Sequence, residues 1–245
     1  MSGHSKWATI KHKKGAADAK RGQMFTKLIK EITIAARIGG GDIEGNPRLR
    51  TAVLKARTAN MPKDNITNAI KKGTGELEGV SYEELVYEAR FGEVAIFIEV
   101  LTDNRNRAAA DIRNILTRAG AELAKSGSVS RLFKRQGIIT LDGEKYTEDE
   151  IMETAIEGGA EDVLLTEGMI EVTTAPEDFE SVLNALNEKN FESISAEVSM
   201  VPEAPVSLDP DATAKALKLI DRLEENDDVQ NVYSNIEIPE GFDAE

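Results

Sequence analysis

The chain has 245 residues, 40% hydrophobic and 30% charged side chains and a net charge of −14, a length that calls for two or three cores rather than one. No apolar run approaches the roughly 18 residues a membrane helix needs, and no apolar stretch follows the polar, basic start, so the expectation is a soluble cytoplasmic protein. Cysteine is absent and the two histidines, His4 and His12, both fall near the amino terminus, which removes thiolate chemistry and leaves no imidazole beyond residue 12 for a triad or a metal site.

Residues 1–22 mix Gly, Ser, Lys and small side chains without an apolar period, which predicts an extended basic arm. From Met24, the spacing of Phe25, Leu28, Ile29, Ile32, Ala35 and Ala36 predicts an amphipathic helix stopped by Gly39, Gly40 and Gly41. A second helix follows Asn46-Pro47, with Leu49, Val53, Leu54 and Ala56 as its stripe. A third is expected to be capped by Asn60, to carry Pro62 in its first turn and to end at Gly73.

Beyond Gly79 the period shortens to two, predicting strands on either side of a turn at Phe91-Gly92, then a helix capped near Asn104 and closed by Gly120, then a strand over 129–133. Strand 137–141, helix 148–157, strands 162–165 and 169–173, helix 179–186 and strand 193–200 follow in the β-α-β-β-α-β order of a ferredoxin-like unit. A linker at 202–205 precedes a helix from Pro210 to Leu223 and a strand over 229–234. Two elements are too few for a domain, so they are expected to complete the earlier ββαβ set.

The predicted fold class is therefore α+β, with an N-terminal three-helix domain followed by two α/β domains, one ferredoxin-like and inserted into a discontinuous middle domain. The expected boundaries are arm 1–22, helical domain 23–75, discontinuous α/β domain 76–134 plus 203–245, and ferredoxin-like domain 135–202.

Charge is distributed unevenly. Residues 1–75 carry 16 Lys and Arg against 5 Asp and Glu, whereas 76–245 carry 14 against 39. Such a split reads as a polyanion-binding front attached to an acidic body that phosphate avoids. The arm sets Trp7, the one tryptophan, among Lys6, Lys11, His12, Lys13 and Lys14; the lysines suit phosphates and the indole suits an unpaired base. The competing reading has Trp7 packed back onto the helices.

Lys20, Arg21, Lys27 and Lys30 extend the basic face into the first helix. A second island, Arg105 to Arg135, holds eight cations against Asp111 and Glu122; in it, Arg105 and Arg107 open a helix whose free N–H groups favour an anion. Intramolecular pairing with nearby carboxylates is the alternative there. Gly39 to Gly41 and Gly73 to Gly75 lack the spacing of a phosphate-cradling loop. The acidic clusters 148–150 and 227–228 are expected to be solvated helix ends.

The stretches 1–13, Asp18 to Gly22, Met61 to Ile66, Leu101 to Arg107 and Gly127 to Ser130 resemble the YebC/PmpR family, which includes the mitochondrial translational activator of cytochrome oxidase, over nearly the whole length. The resemblance implies a three-domain architecture with a helical front and a transcriptional regulator that binds DNA, some relatives acting instead in translation. Two positions depart from the family pattern: the turn at Ala89 to Glu93 is shorter and poorer in glycine, and Arg131 stands where a large aromatic is usual.

The combined expectation is a nucleic-acid-binding regulator without enzymatic activity, cofactor or metal. Phosphate contacts come from Lys6, Lys11, His12, Lys13, Lys14, Lys20, Arg21, Lys27, Arg105 and Arg107, and Trp7 stacks. DNA is the leading partner and ribosomal RNA the alternative. The acidic domains are left to engage the ribosome or another protein, and no membrane is involved. A small-molecule enzyme with a carboxylate-lined cleft between the α/β domains is the third reading.

Overall fold

The structure is a computed structural model that describes residues 18–166 and 168–238. Among the described residues three helices come first: α1 Asp18–Gly39, α2 Pro47–Thr58 and α3 Lys63–Thr74. The apolar spacing anticipated from Met24 is present, with Ile32, Ala35 and Ala36 buried against Leu49, Val53, Ala56 and Ala69. Helix α1 begins at Asp18, so residues 18–22 are helical rather than part of an extended arm. Residues 1–17 lie outside the described set. Close approach of α1 and α3 depends on Gly73, where a Cβ would sit 2.4 Å from the Thr33 carbonyl oxygen and 2.7 Å from the Ala36 methyl.

Asn46 joins the first two helices. Its Oδ1 accepts from the Leu49 N–H at 3.1 Å and caps α2, while its Nδ2 donates to the Ala35 and Gly40 carbonyls at 2.9 and 2.8 Å. One buried side chain thus satisfies an orphan donor of one helix and two terminal acceptors of another. Asn46→Ala is expected to cost about 2–3 kcal/mol, a cap plus buried carbonyls left unpaired, read as a lowered midpoint in urea denaturation followed by circular dichroism. The cap expected of Asn60 is corrected: Asn60 has φ +57 as the chain leaves α2, and Pro62 occupies the N-cap of α3.

The first sheet contains β1 Glu83–Phe91, β2 Val94–Thr102, β3 Glu122–Leu123 and β9 Val229–Ser234, in the order β3-β1-β2-β9 and antiparallel throughout. The β1–β2 turn needs only two residues, with Gly92 at φ +59, the sense that matches strand twist. Helices α4 Arg105–Ala119 and α7 Pro210–Glu224 bury Ile112, Leu116, Leu217, Ile220 and Leu223 against Ile96, Ile98, Val100 and Val232 of this sheet.

Between β3 and α7 the chain makes a second sheet from β4 Phe133–Asp142, β5 Ala160–Thr166, β6 Met169–Thr174 and β7 Ser193–Pro202. Its order is β5-β6-β4-β7, all antiparallel, the arrangement of a ferredoxin-like unit once the strands are counted from β4. Helices α5 Glu148–Gly158 and α6 Phe179–Glu188 cover it, packing Ile151, Ala155, Val182 and Leu186 onto Ile139, Leu141, Val163 and Val172. Since β9 returns beside β2, the unit is inserted into a discontinuous middle region. A short parallel pair, β8 Val206–Ser207 with β10 Ile236–Glu237, completes the described chain.

The strand expected over 129–133 is corrected. Ser130–Leu132 form a 3₁₀ turn, and the strand starts at Phe133 and continues to Asp142. The cause is Glu88: its carboxylate accepts N–H bonds from Gly127 at 2.6 Å, from Val129 and from Ser130 at 3.2 Å. Those donors are withdrawn from any ladder. Burial alone would raise the Glu88 carboxyl, but the three N–H donors outweigh it and hold it below its usual range.

Candidate nucleic-acid interface

Of the residues singled out for phosphate or base contact, Lys6, Trp7, Lys11, His12, Lys13 and Lys14 lie outside the described residues, and Lys20 falls in the first turn of α1. Arg21 is exposed, its guanidinium 5.5 Å from the centre of the Phe25 ring. Lys27 donates to the Glu224 carbonyl at 2.6 Å, and Gln23 donates to the Glu225 carbonyl. Helix α1 therefore lies across the C-terminal end of α7, where a cation complements exposed carbonyls.

Arg105 and Arg107 open α4 but differ in circumstance. Asn104 caps the helix by accepting from the Arg107 N–H at 3.0 Å. The Arg107 guanidinium is held by Asp103 at 2.6 Å and Asp228 at 2.8 Å. Arg105 is exposed and has no ion pair with another described residue.

Asp228 is the centre of this junction. It accepts from Lys30 at 2.7 Å on one side and from Arg107 on the other, while Lys30 also donates to the Asp227 and Leu101 carbonyls. Lys30 is 7% exposed and Asp228 3%. Burial would push the Asp228 carboxyl up; the hydrogen bonds from Lys30 and Arg107 more than offset that and hold it below its ordinary value. The expectation of a solvated acidic helix end at 227–228 is corrected for Asp228, which is a buried clasp joining α1, α4 and the approach to β9.

The sequence places Lys30 on the basic face and Asp228 at a solvated helix end; both expectations are corrected, because the two side chains are buried against each other. The available signal was a lysine set between Ile29 and Ile32, inside the apolar stripe of α1. A buried lysine needs a partner.

Sorting the remaining cations by partner divides them in two. Arg48 is held by Glu31 and Glu84, Arg50 by Glu180, Lys55 by Glu197 and Lys134 by Glu161. By contrast Arg57, Lys63, Lys71 and Lys72 on α2 and α3 are exposed without an ion pair to a described residue, as are Arg113, Arg118, Lys125 and Arg131. In a chain of net charge −14, carboxylates are abundant, so these positions leave positive charge available.

Helices α2 and α3 are separated only by residues 59–62, and both pack on α1. The outer face of α3 offers Lys63, Asn65, Asn68, Lys71 and Lys72, all exposed. A polar helix after a short turn is the arrangement by which helix-turn-helix proteins present a reading face.

A cavity of about 240 Å³ lies where the ends of α1 and α3 meet the start of β1, lined by Thr33, Arg37, Lys72, Gly73, Ser81 and Tyr82 among others. Its described lining carries two cations, Arg37 and Lys72, and no carboxylate. No helix among the described residues is long and apolar enough to cross a membrane.

Residues 5–76 match the family described as "TACO1/YebC protein N-terminal domain", and residues 82–236 match "TACO1/YebC second and third domain". The chain belongs to the TACO1/YebC family. Among its relatives, a "probable transcriptional regulatory protein" of Treponema denticola is 67% identical over 244 residues, covering 99% of each chain. One of the same description from Borreliella burgdorferi is 57% identical over 242 residues, covering 98% of this chain and 99% of the other.

The fold is shared with the crystal structure of a conserved hypothetical protein from Aquifex aeolicus, at TM-score 0.81 and 45% identity over 91% of this chain and 93% of that one. The TACO1/YebC family is thus a family of proteins named as regulators, and its three-part architecture is the one found here.

Proposed function

We propose that the protein is a nucleic-acid-binding regulator of gene expression in the cytoplasm, acting by binding rather than by chemistry, with duplex DNA as its target. The observation that carries this reading is the set of exposed cations on α2 and α3 without an ion pair to a described residue, on a helical front whose net charge opposes that of the body. Lys6, Lys11, Lys13, Lys14, Lys20 and Arg21 neutralise phosphates along the arm and the start of α1, with His12 and Lys27 adding to the same front. Trp7, in the same run of sequence, stacks on an unpaired base where the target offers one. Arg105, at the N-terminus of α4, meets a further phosphate. Arg107 keeps that helix start in place through Asp228.

A second reading is a ribosome-associated translation factor. It is favoured by the second set of exposed cations, Arg113 to Arg131, without an ion pair to a described residue, which no single straight groove requires and which a folded RNA, with phosphates on many sides, accommodates. One experiment divides the two. On the DNA reading, the protein shifts promoter duplex at 150 mM salt and leaves ribosome fractions when salt is raised moderately. If it instead co-sediments with ribosomes through that wash and shifts no duplex, the DNA reading is lost and the RNA reading stands.

A further inference from the structure

We propose that α2 carries an additional phosphate-contacting face, built on Arg50 and Lys55, which the ferredoxin-like unit masks until a polyanion displaces it; this rests on the nucleic-acid reading above. Residues 136–201 contain 17 Asp and Glu against two Lys, and this unit reaches the helical front through carboxylates. Glu180, in the first turn of α6, accepts from Arg50 at 2.8 and 3.3 Å. Glu197, on β7, lies 3.6 Å from the Lys55 ammonium. Two separate elements of the acidic unit thus place one carboxylate each on the same basic helix.

The exposure of these pairs decides what they can do. The side chains of Arg50 and Glu180 are 35% and 40% exposed, and those of Lys55 and Glu197 48% and 45%. The Lys30–Asp228 pair, at 9% and 5%, is closed to solvent. Half-exposed pairs are weak and screened by salt, so a phosphate can take the place of either carboxylate. A nucleic acid arriving at α2 also repels the rest of the acidic unit, which favours its release. Arg57, on the same helix, is exposed and has no ion pair with a described residue, so displacement would extend an available cation into a cluster of three.

A simple latch between two parts of the fold would give the same static picture, so the test must read affinity. The full chain is titrated with a heparin oligosaccharide as a sequence-free polyanion and with duplex DNA. E180Q/E197Q is expected to bind heparin about threefold to tenfold more tightly, with a salt slope steeper by about 1.4 to 1.8 because two freed cations now release counterions. Adding R50Q/K55Q to that background is expected to abolish the gain. An unchanged affinity in E180Q/E197Q overturns the proposal, and so does a gain that survives R50Q/K55Q, which would reflect lowered overall negative charge alone.

A second measurement avoids any change at the mask itself. The chain lacks cysteine, so labels at Thr58→Cys and Asn184→Cys, both on exposed positions, report the separation of α2 from α6. That distance is expected to grow at saturating heparin; a fixed distance overturns the mask. If wild type binds duplex or ribosomal RNA and these results fail, only the mask falls. If no variant binds any polyanion, the nucleic-acid reading falls with it.

Discussion

Asp228→Ala is expected to destabilise the protein by about 3–5 kcal/mol, because it leaves the Lys30 ammonium buried without its counter-charge. The loss should appear as a lower midpoint in urea denaturation at pH 7. Converting both partners, K30M/D228L, is expected to recover much of it, since the apolar pair removes the stranded charge along with its partner. If D228A alone were as stable as wild type, the clasp would carry no weight in holding α1 to the middle region.

The clasp also fixes a direction with pH. The folded Asp228 carboxyl lies below its ordinary value of 3.8, so its contribution is complete above that value. It disappears as pH falls through the lower, folded value. Glu88, held below 4.5 by three N–H donors, acts in the same sense. Acid is therefore expected to narrow the gap between wild type and D228A, and urea midpoints compared at pH 7 and near pH 3 measure it.

What the sequence disclosed was what is local. The stripe Ile32, Ala35, Ala36, the Asn104 cap and the βαββαβ order depend on neighbours within a turn or a hairpin, and each reappears in the structure with its boundaries shifted by a few residues. What it concealed was pairing across distance. Lys30 and Asp228 are 198 positions apart, and Val129 gives up strand geometry because of Glu88, 41 positions earlier. Strand β3 has two residues, too short to carry a period.

The site followed the same division. Charge surplus located the basic front, but only the fold separates Arg107, committed to Asp103 and Asp228, from Arg105, which is not. The same limit applied to the helical front. Nothing in the run from Arg48 to Arg57 marks Arg48, Arg50 and Lys55 as paired and Arg57 as without a partner among the described residues, because the pairing carboxylates come from α1, β1, α6 and β7.

Removing residues 1–17 is expected to have the largest functional effect. If the arm and the start of α1 engage about five phosphates, those contacts alone should make affinity for nucleic acid vary with salt at a log–log slope of about −3.5 to −4.5. Binding would then weaken about 100- to 500-fold between 50 and 200 mM salt. The segment contributes Lys6, Lys11, Lys13 and Lys14, so its loss should flatten the slope by about 3, while α1 keeps Lys20 and Arg21. A slope unchanged by truncation would take the arm out of the interface.

Trp7→Ala separates the two kinds of target within the same experiment. An indole that stacks gives about 1–3 kcal/mol per base, and it needs a base that is not already stacked on both sides. The substitution should therefore weaken binding to a looped or single-stranded RNA by that amount. On a closed DNA duplex it should change affinity little, because there the lysines act through phosphate alone. A loss of equal size on both would mean that Trp7 serves the helical front as a packed anchor, in which case its loss should also lower the urea midpoint of the free protein.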